Sequence, residues 1–117
     1  MEIRAHPDGF GIIRAALNGE LDLATVDSCE SRLLGLVSIA GVREVILDLG
    51  RLNFVDCAGL RALIVARSSG AALGVDVRVE RPQPIVETVL RATGLWESFK
   101  PAQDAPVRRQ RVGDSQV

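Results

Sequence analysis

The chain has 117 residues, 47% of them hydrophobic and 25% charged, with a formal net charge of −1. That length suits one domain with one packed core and leaves no room for a second catalytic domain. The balanced charge argues against a nucleic-acid binder, and no apolar run reaches the ~18 residues needed to span a bilayer, so neither nucleic acid nor membrane is an expected partner. The start, "MEIRAHPDGFG", has no basic segment followed by a long apolar run, so no signal peptide is expected. The two cysteines then read as thiols in a reducing cytosol, able to form at most one bridge.

In chain order, residues 2–6 and 11–18 read as two short strands, and "HPDGFG" between them carries the Pro and Gly signals of a hairpin. "NGELD" at 18–22 ends the second strand. From Thr25 to Ala40 the apolar positions Val26, Cys29, Leu33, Leu36, Val37 and Ala40 fit one buried helical face, with Gly41 as the expected C-terminal cap. "VREVILDL" at 42–49 is nearly continuous in apolar character, which suits a strand covered on both faces. A second helix follows Asp56, with Leu60, Leu63, Ile64 and Ala71 on one side and Arg61 and Ser68 on another. "VDVRVE" at 75–80 alternates as a strand. Pro82 or Pro84 opens a third helix with Ile85, Val86, Val89 and Leu90 inward, closed near Gly94. Leu95, Trp96 and Phe99 form a docking cluster, with a last short strand expected near 97–100. From Pro101 the chain turns polar, with "RRQR" at 108–111, and reads as a disordered, solvated tail. The order β-β-α-β-α-β-α predicts an α/β fold: a mixed sheet of four or five strands with an antiparallel opening hairpin, a largely parallel core and three or more helices. The domain is expected over residues 1–100 and the tail over 101–117.

The stretch that asks for an explanation is "LNFVDCAGLRALI" at 52–64, where an acid, a thiol and a glycine stand at a strand-to-helix junction. As an N-cap, Asp56 would accept a hydrogen bond from the amide of Ala58 or Gly59 and sit at the positive end of the helix dipole. Gly59 would let another backbone come close. This much is structural and requires no further role. Asp22 and Asp56 would lie near one another if their turns meet, but no nucleophile-base set accompanies them, and His6, the only histidine, stands far off. No catalytic residue, metal site or cofactor is therefore expected. Two cysteines without clustered histidines make a poor zinc site. Cys29 belongs on the apolar stripe. Cys57 reads as small, half-buried and inert, although a helix start can lower a thiol pKa.

"LDLGRLNFVDCAGLRALI" resembles the signature of STAS domains, the fold shared by anti-sigma factor antagonists and the cytosolic ends of sulfate transporters. "LNGELDLAT" at 17–25 resembles that family's Gly-Glu-Leu-Asp turn, and "VLRATGLWESF" resembles its third helix and Thr-Gly-Leu exit. The resemblance covers about residues 2–100 and agrees with the element order read from the pattern. It implies a non-enzymatic, cytoplasmic anti-sigma factor antagonist. Such a protein binds an anti-sigma factor of the serine-kinase type and frees the sigma factor, and the kinase switches it off by phosphorylating a serine at the helix start. A phosphoserine brings about −1.5 to −2 charges into a contact surface.

The sequence departs from that pattern at the switch. The family's phosphoacceptor is the second residue after the aspartate, which here is Ala58, and the position before it is Cys57. The expected partner surface comprises the 20–25 turn with Glu20 and Asp22, then Asn53, then Asp56, Cys57, Ala58, Gly59, Leu60 and Arg61. Two other readings stand beside it: a STAS subunit of a lipid-transport ABC system, which needs no phosphoacceptor, and a redox-responsive regulator using Cys57. The oligomeric state, including a homodimer, is left open by the sequence.

Overall fold

The computed structural model describes residues 1–99, so the expected tail at 101–117, with its "RRQR" run, lies outside the described residues. Nine elements follow in order: β1 (Glu2–Pro7), β2 (Ile12–Leu21), α1 (Val26–Val37), β3 (Glu44–Asp48), β4 (Leu52–Val55), α2 (Cys57–Ala72), β5 (Asp76–Glu80), α3 (Pro84–Ala92) and a 3-10 turn (Trp96–Phe99). The five strands form one mixed sheet in the order β1-β2-β3-β5, with β4 joined to the far end of β2. The β1–β2 hairpin is antiparallel and every other pairing is parallel. The fold class is as expected. The fifth strand is β4, not residues 97–100, where the chain turns as a 3-10 helix.

A four-residue strand inside a strand-to-helix junction is hard to see in a sequence, and the partner it needs comes from further along β2. That strand runs three residues beyond its expected end. Its pairing shifts register between Gly19 and Glu20, so that Gly19 faces Leu52 but Glu20 faces Phe54. Asn53 is the extra residue of this bulge, a device that turns side chains out of their regular alternation. Leu52 and Val55 are therefore buried while Asn53 and Phe54 both face out.

One cluster of buried apolar side chains joins the three helices to one face of the sheet. Ile13, Ala15 and Leu17 supply it from β2, Val45 and Leu47 from β3, Val77 and Val79 from β5. The helix α1 contributes Val26, Cys29, Leu33 and Val37, and ends at Ser38 rather than at Gly41, leaving Ala40 exposed. Along α2 the buried stripe is Gly59, Leu60, Ala62, Leu63, Ala66 and Gly70. Ile64 and Ala71, expected inward, are exposed. Size drew the expectation at Ile64, whereas the close approach of this helix selects small residues, and Ala71 lies in its exposed last turn. On α3, Pro84 is the first residue, Val86 and Leu90 are buried, Val89 is half-buried and Ile85 is exposed. Phe99 is fully buried, and the Arg91 guanidinium lies 4.4 Å from the centre of the Trp96 ring, a cation–π contact.

The other face of the sheet carries no helix stripe. Register places Arg4, His6, Arg14, Asp48, Arg78 and Glu80 there, with Ile46 between Arg14 and Arg78. As expected, β3 is buried on both faces: Val45 and Leu47 face the helices and Ile46 faces the open side. Ile46 is buried but stands outside the core cluster. The aliphatic stems of its arginine neighbours shield it, as long charged side chains commonly do.

Candidate partner-binding surface

Two backbone segments meet where β2 ends and α2 begins. In parallel register Leu21 pairs with Val55, so the next residues, Asp22 and Asp56, leave the sheet side by side. The Asp56 amide donates to the Leu21 carbonyl at 3.3 Å. Asp56 itself caps α2: its Oδ1 accepts the Gly59 amide at 2.8 Å, one of the donors that a helix start leaves without an intrahelical partner. The cap anticipated from sequence is thus present, with Gly59 as its donor.

Gly59 is needed for a second reason. A Cβ there would lie 2.1 Å from the Leu21 carbonyl oxygen, far inside any allowed contact. The glycine lets the first turn of α2 press directly on the end of β2. It locks the two turns together, so a substitution such as Gly59→Asp disrupts the fold rather than only the surface.

The turn after β2 is fixed by its own side chains. Thr25 Oγ1 accepts the Asp22 amide at 3.0 Å and donates to the Glu20 carbonyl at 2.8 Å, while Asp22 Oδ1 accepts the Ala24 amide at 3.0 Å. This arrangement holds Leu23 at the tip, 76% exposed. Phe54 is 40% exposed on the neighbouring strand, opposite Glu20. Asn53 is exposed, and its side-chain carbonyl accepts from Gln83 Nε2 at 3.1 Å, which ties the bulge to the start of α3.

The nine residues expected at the surface therefore divide. Glu20, Asn53, Cys57 and Arg61 are exposed, and Asp22, Asp56 and Ala58 are half-buried at the same end of the sheet. Gly59 and Leu60 are buried and support the surface from below. Cys57 is exposed rather than half-buried, on the outside of the first turn. Arg61 is bound to the neighbouring helix, its Nε 3.1 Å from Glu30 Oε1 and its Nη2 on Asp27. Those two carboxylates raise the Arg61 pKa further above its ordinary value, through hydrogen bonds first and charge second. Phe54 was not anticipated, because only the bulge at Asn53 turns it outward. With Glu20, Asp22, Asp27 and Asp56 around it, the surface is acidic with two apolar side chains.

Comparison with known proteins identifies the architecture. A family model described as the STAS domain matches residues 4–108. This chain belongs to the STAS domain family. It is 36% identical over 90 residues to the protein named "Putative anti-sigma factor antagonist BtrV" of Bordetella bronchiseptica; the match covers 76% of each chain. In structure it is similar to the Bacillus anti-sigma factor antagonist SpoIIAA in its unphosphorylated form, at 19% identity and a TM-score of 0.73, over 98% of this chain and 100% of that one. A sulfate transporter family protein from Wolinella succinogenes shares the fold at 18% identity and a TM-score of 0.68, over 90% and 89% of the two chains. The structural likenesses speak for the STAS fold. Among the described residues, no helix is long and apolar enough to cross a membrane.

Proposed function

We propose that this STAS protein is an anti-sigma factor antagonist that binds a serine-kinase-type anti-sigma factor in the cytoplasm, without chemistry of its own, and so frees a sigma factor. The observation that carries the reading is the 36% identity to BtrV, a protein with that designation. The contact surface is the 20–25 turn, Asn53 and the exposed part of residues 56–61. Leu23 and Phe54 supply apolar contact, and the acidic groups around them suit a basic partner surface.

On this reading Ala58 leaves the protein permanently competent to bind. A kinase needs a hydroxyl, and Ala58 offers a half-buried methyl on the first turn of α2. SpoIIAA is known in both unphosphorylated and phosphorylated forms, which makes a comparable switch a reasonable property to test here. Incubated with its kinase and ATP, the native chain takes up no phosphate at the helix start, by mass spectrometry, whereas Ala58→Ser does. Ala58→Glu places a charge beside Asp56 and weakens binding thirtyfold or more, since one unpaired interfacial charge costs ~2–5 kcal/mol. Undiminished binding by Ala58→Glu would favour the lipid-transport ABC subunit, which needs no acceptor. Cys57 is exposed in the same surface, so peroxide treatment of the native chain and of Cys57→Ser tests the redox reading. Reversible loss of binding in the native chain alone would establish that reading.

A further inference from the structure

The open face of the sheet holds a hollow of about 430 Å³, at its edge nearest the Gly50–Arg51 turn. Its floor is the methyl of Ala16 and the side chain of Asn18 on β2, and arginines reach it from three sides: Arg4 on β1, Arg51 before β4 and Arg81 after β5. Two carboxylates answer them. Glu2 sits 3.1 Å from Arg4, and Asp48 is bound by Arg81. Arg51 has no side-chain hydrogen bond or ion pair among the described residues. The hollow thus carries one uncompensated positive charge.

Two further features point to an occupant. Asn18 Oδ1 is buried and has no hydrogen-bond donor, a condition that costs free energy unless something supplies one. Arg81 holds a left-handed backbone, φ +55°, although it is not glycine. Such strain is retained where surrounding structure fixes a side chain for a purpose, ligand clamps among them. Here the chain reverses after β5 and its guanidinium comes back to Asp48 and the side of Gly50.

We propose that this hollow binds a small phosphate monoester that carries a free hydroxyl. Planar guanidinium forks match phosphate oxygens in geometry and charge. The phosphate neutralises Arg51 and shares Arg4 with the exposed Glu2 and Arg81 with the half-buried Asp48, and the hydroxyl donates to Asn18 Oδ1. The volume falls within the range of small-molecule sites. The hollow shares no lining residue with the surface proposed for the anti-sigma factor, and the proposal does not depend on that reading.

Nitrogen-15 NMR titration of the full chain tests this, with glycerol 3-phosphate, inorganic phosphate and glycerol as probes. The expected result is saturable shifts at the Asn18 side-chain amide and through residues 48–51 with glycerol 3-phosphate. Inorganic phosphate binds more weakly and glycerol not at all. Arg51→Ala, an exposed position whose removal leaves the fold intact by circular dichroism, lowers the glycerol 3-phosphate affinity tenfold or more. Asn18→Ala lowers it towards that of inorganic phosphate, without changing the latter. Failure to saturate by about 10 mM, or shifts that Arg51→Ala does not alter, would overturn the proposal. So would shifts spread equally over Arg14, Arg61 and Arg78, the mark of general ion atmosphere. If glycerol 3-phosphate binds no more tightly than inorganic phosphate, the assignment of a hydroxyl to Asn18 fails.

Discussion

On the helix side of the sheet, α2 approaches the strands through Gly59, Ala62, Ala66 and Gly70, and contact depends on atoms that are not there. On the other side, Arg14 and Arg78 lie beside Ile46 and bind carboxylates from β3, β5 and the hairpin turn. The first surface is close-packed and cannot admit a methyl group. The second is built of long side chains in contact with water, whose pairings are worth little singly and can rearrange. The same sheet is thus rigid on one face and adaptable on the other. The turn surface proposed for a partner is positioned by the rigid face, while the proposed anion site is on the adaptable one.

The largest effects are expected on the rigid face. Gly59→Ala sets a methyl against the Leu21 carbonyl, and overpacking against backbone costs about 3 kcal/mol or more because neither side can yield. Leu63→Ala, at a fully buried position on the same stripe, costs ~2–5 kcal/mol through lost contacts and a cavity. Urea melts measure both. A loss below about 1 kcal/mol for either would mean that α2 can shift on the sheet, and the contrast between the faces would collapse.

These positions also mark what the sequence made legible. The element order apart from β4, the helix start at Asp56 and the need for a glycine at 59 follow from local rules of capping, periodicity and chain reversal, and these are present. The inner faces of α2 and α3 differ from expectation at Ile64 and Ile85, because apolar size is a poor guide where helices approach closely, and at Ala71, which lies in the exposed last turn of α2. The strand β4 escaped because its existence depends on the bulge in β2, a long-range pairing that no local pattern announces. Phe54 went unnoticed for the same reason. The apolar run of β3 announces a strand buried on both faces, but not that the neighbours of Ile46 on the open face are Arg14 and Arg78 rather than a helix. At the candidate surface, Leu60 follows the apolar spacing into the core, while Arg61 turns to Asp27 and Glu30 on a helix distant in sequence.

The two faces should also differ in how they respond to pH. On the helix side, burial pushes the Cys29 thiol from its ordinary value near 9 up to about 11. The folded state therefore holds a proton that the unfolded chain releases, and this contribution to stability is complete below pH 9 and is lost as pH rises towards about 11. Urea melts across that range should show a decline that is smaller in Cys29→Ala, after allowance for its constant packing loss. An identical decline in both proteins would assign the alkaline limb to other groups. On the open face, Arg14→Ala removes the pairs to Asp8 and Glu80. It should cost about 1 kcal/mol or less, since the side chain is a third exposed and salt screens what remains. A loss comparable to Leu63→Ala would show that the open face is as rigid as the other.

The smallest effect is expected at Asp48, and it sharpens the comparison by its sign. Burial alone would raise this carboxyl, but the hydrogen bond from Arg81 opposes it. So do the Gly50 amide at 2.9 Å and the charges of Arg81 and Arg14. The net result holds Asp48 below the usual carboxylate range. A depressed folded pKa stabilises the protein above the unfolded value, about 3.9, and the contribution disappears as pH falls through the folded value. Asp48→Asn keeps an oxygen to accept the Gly50 amide and removes the charge together with the oxygen that accepts from Arg81. The variant should therefore be slightly less stable than the native chain at pH 7, and the gap should close below about pH 4. The open face then accounts for part of the acid limb of stability, as Cys29 on the helix face does for the alkaline limb. Urea melts at pH 7 and at about pH 3 read the gap directly. A gap that persists in acid would mean that shape rather than charge holds Asp48 in place, and the open face would then owe its order to packing, as the helix face does.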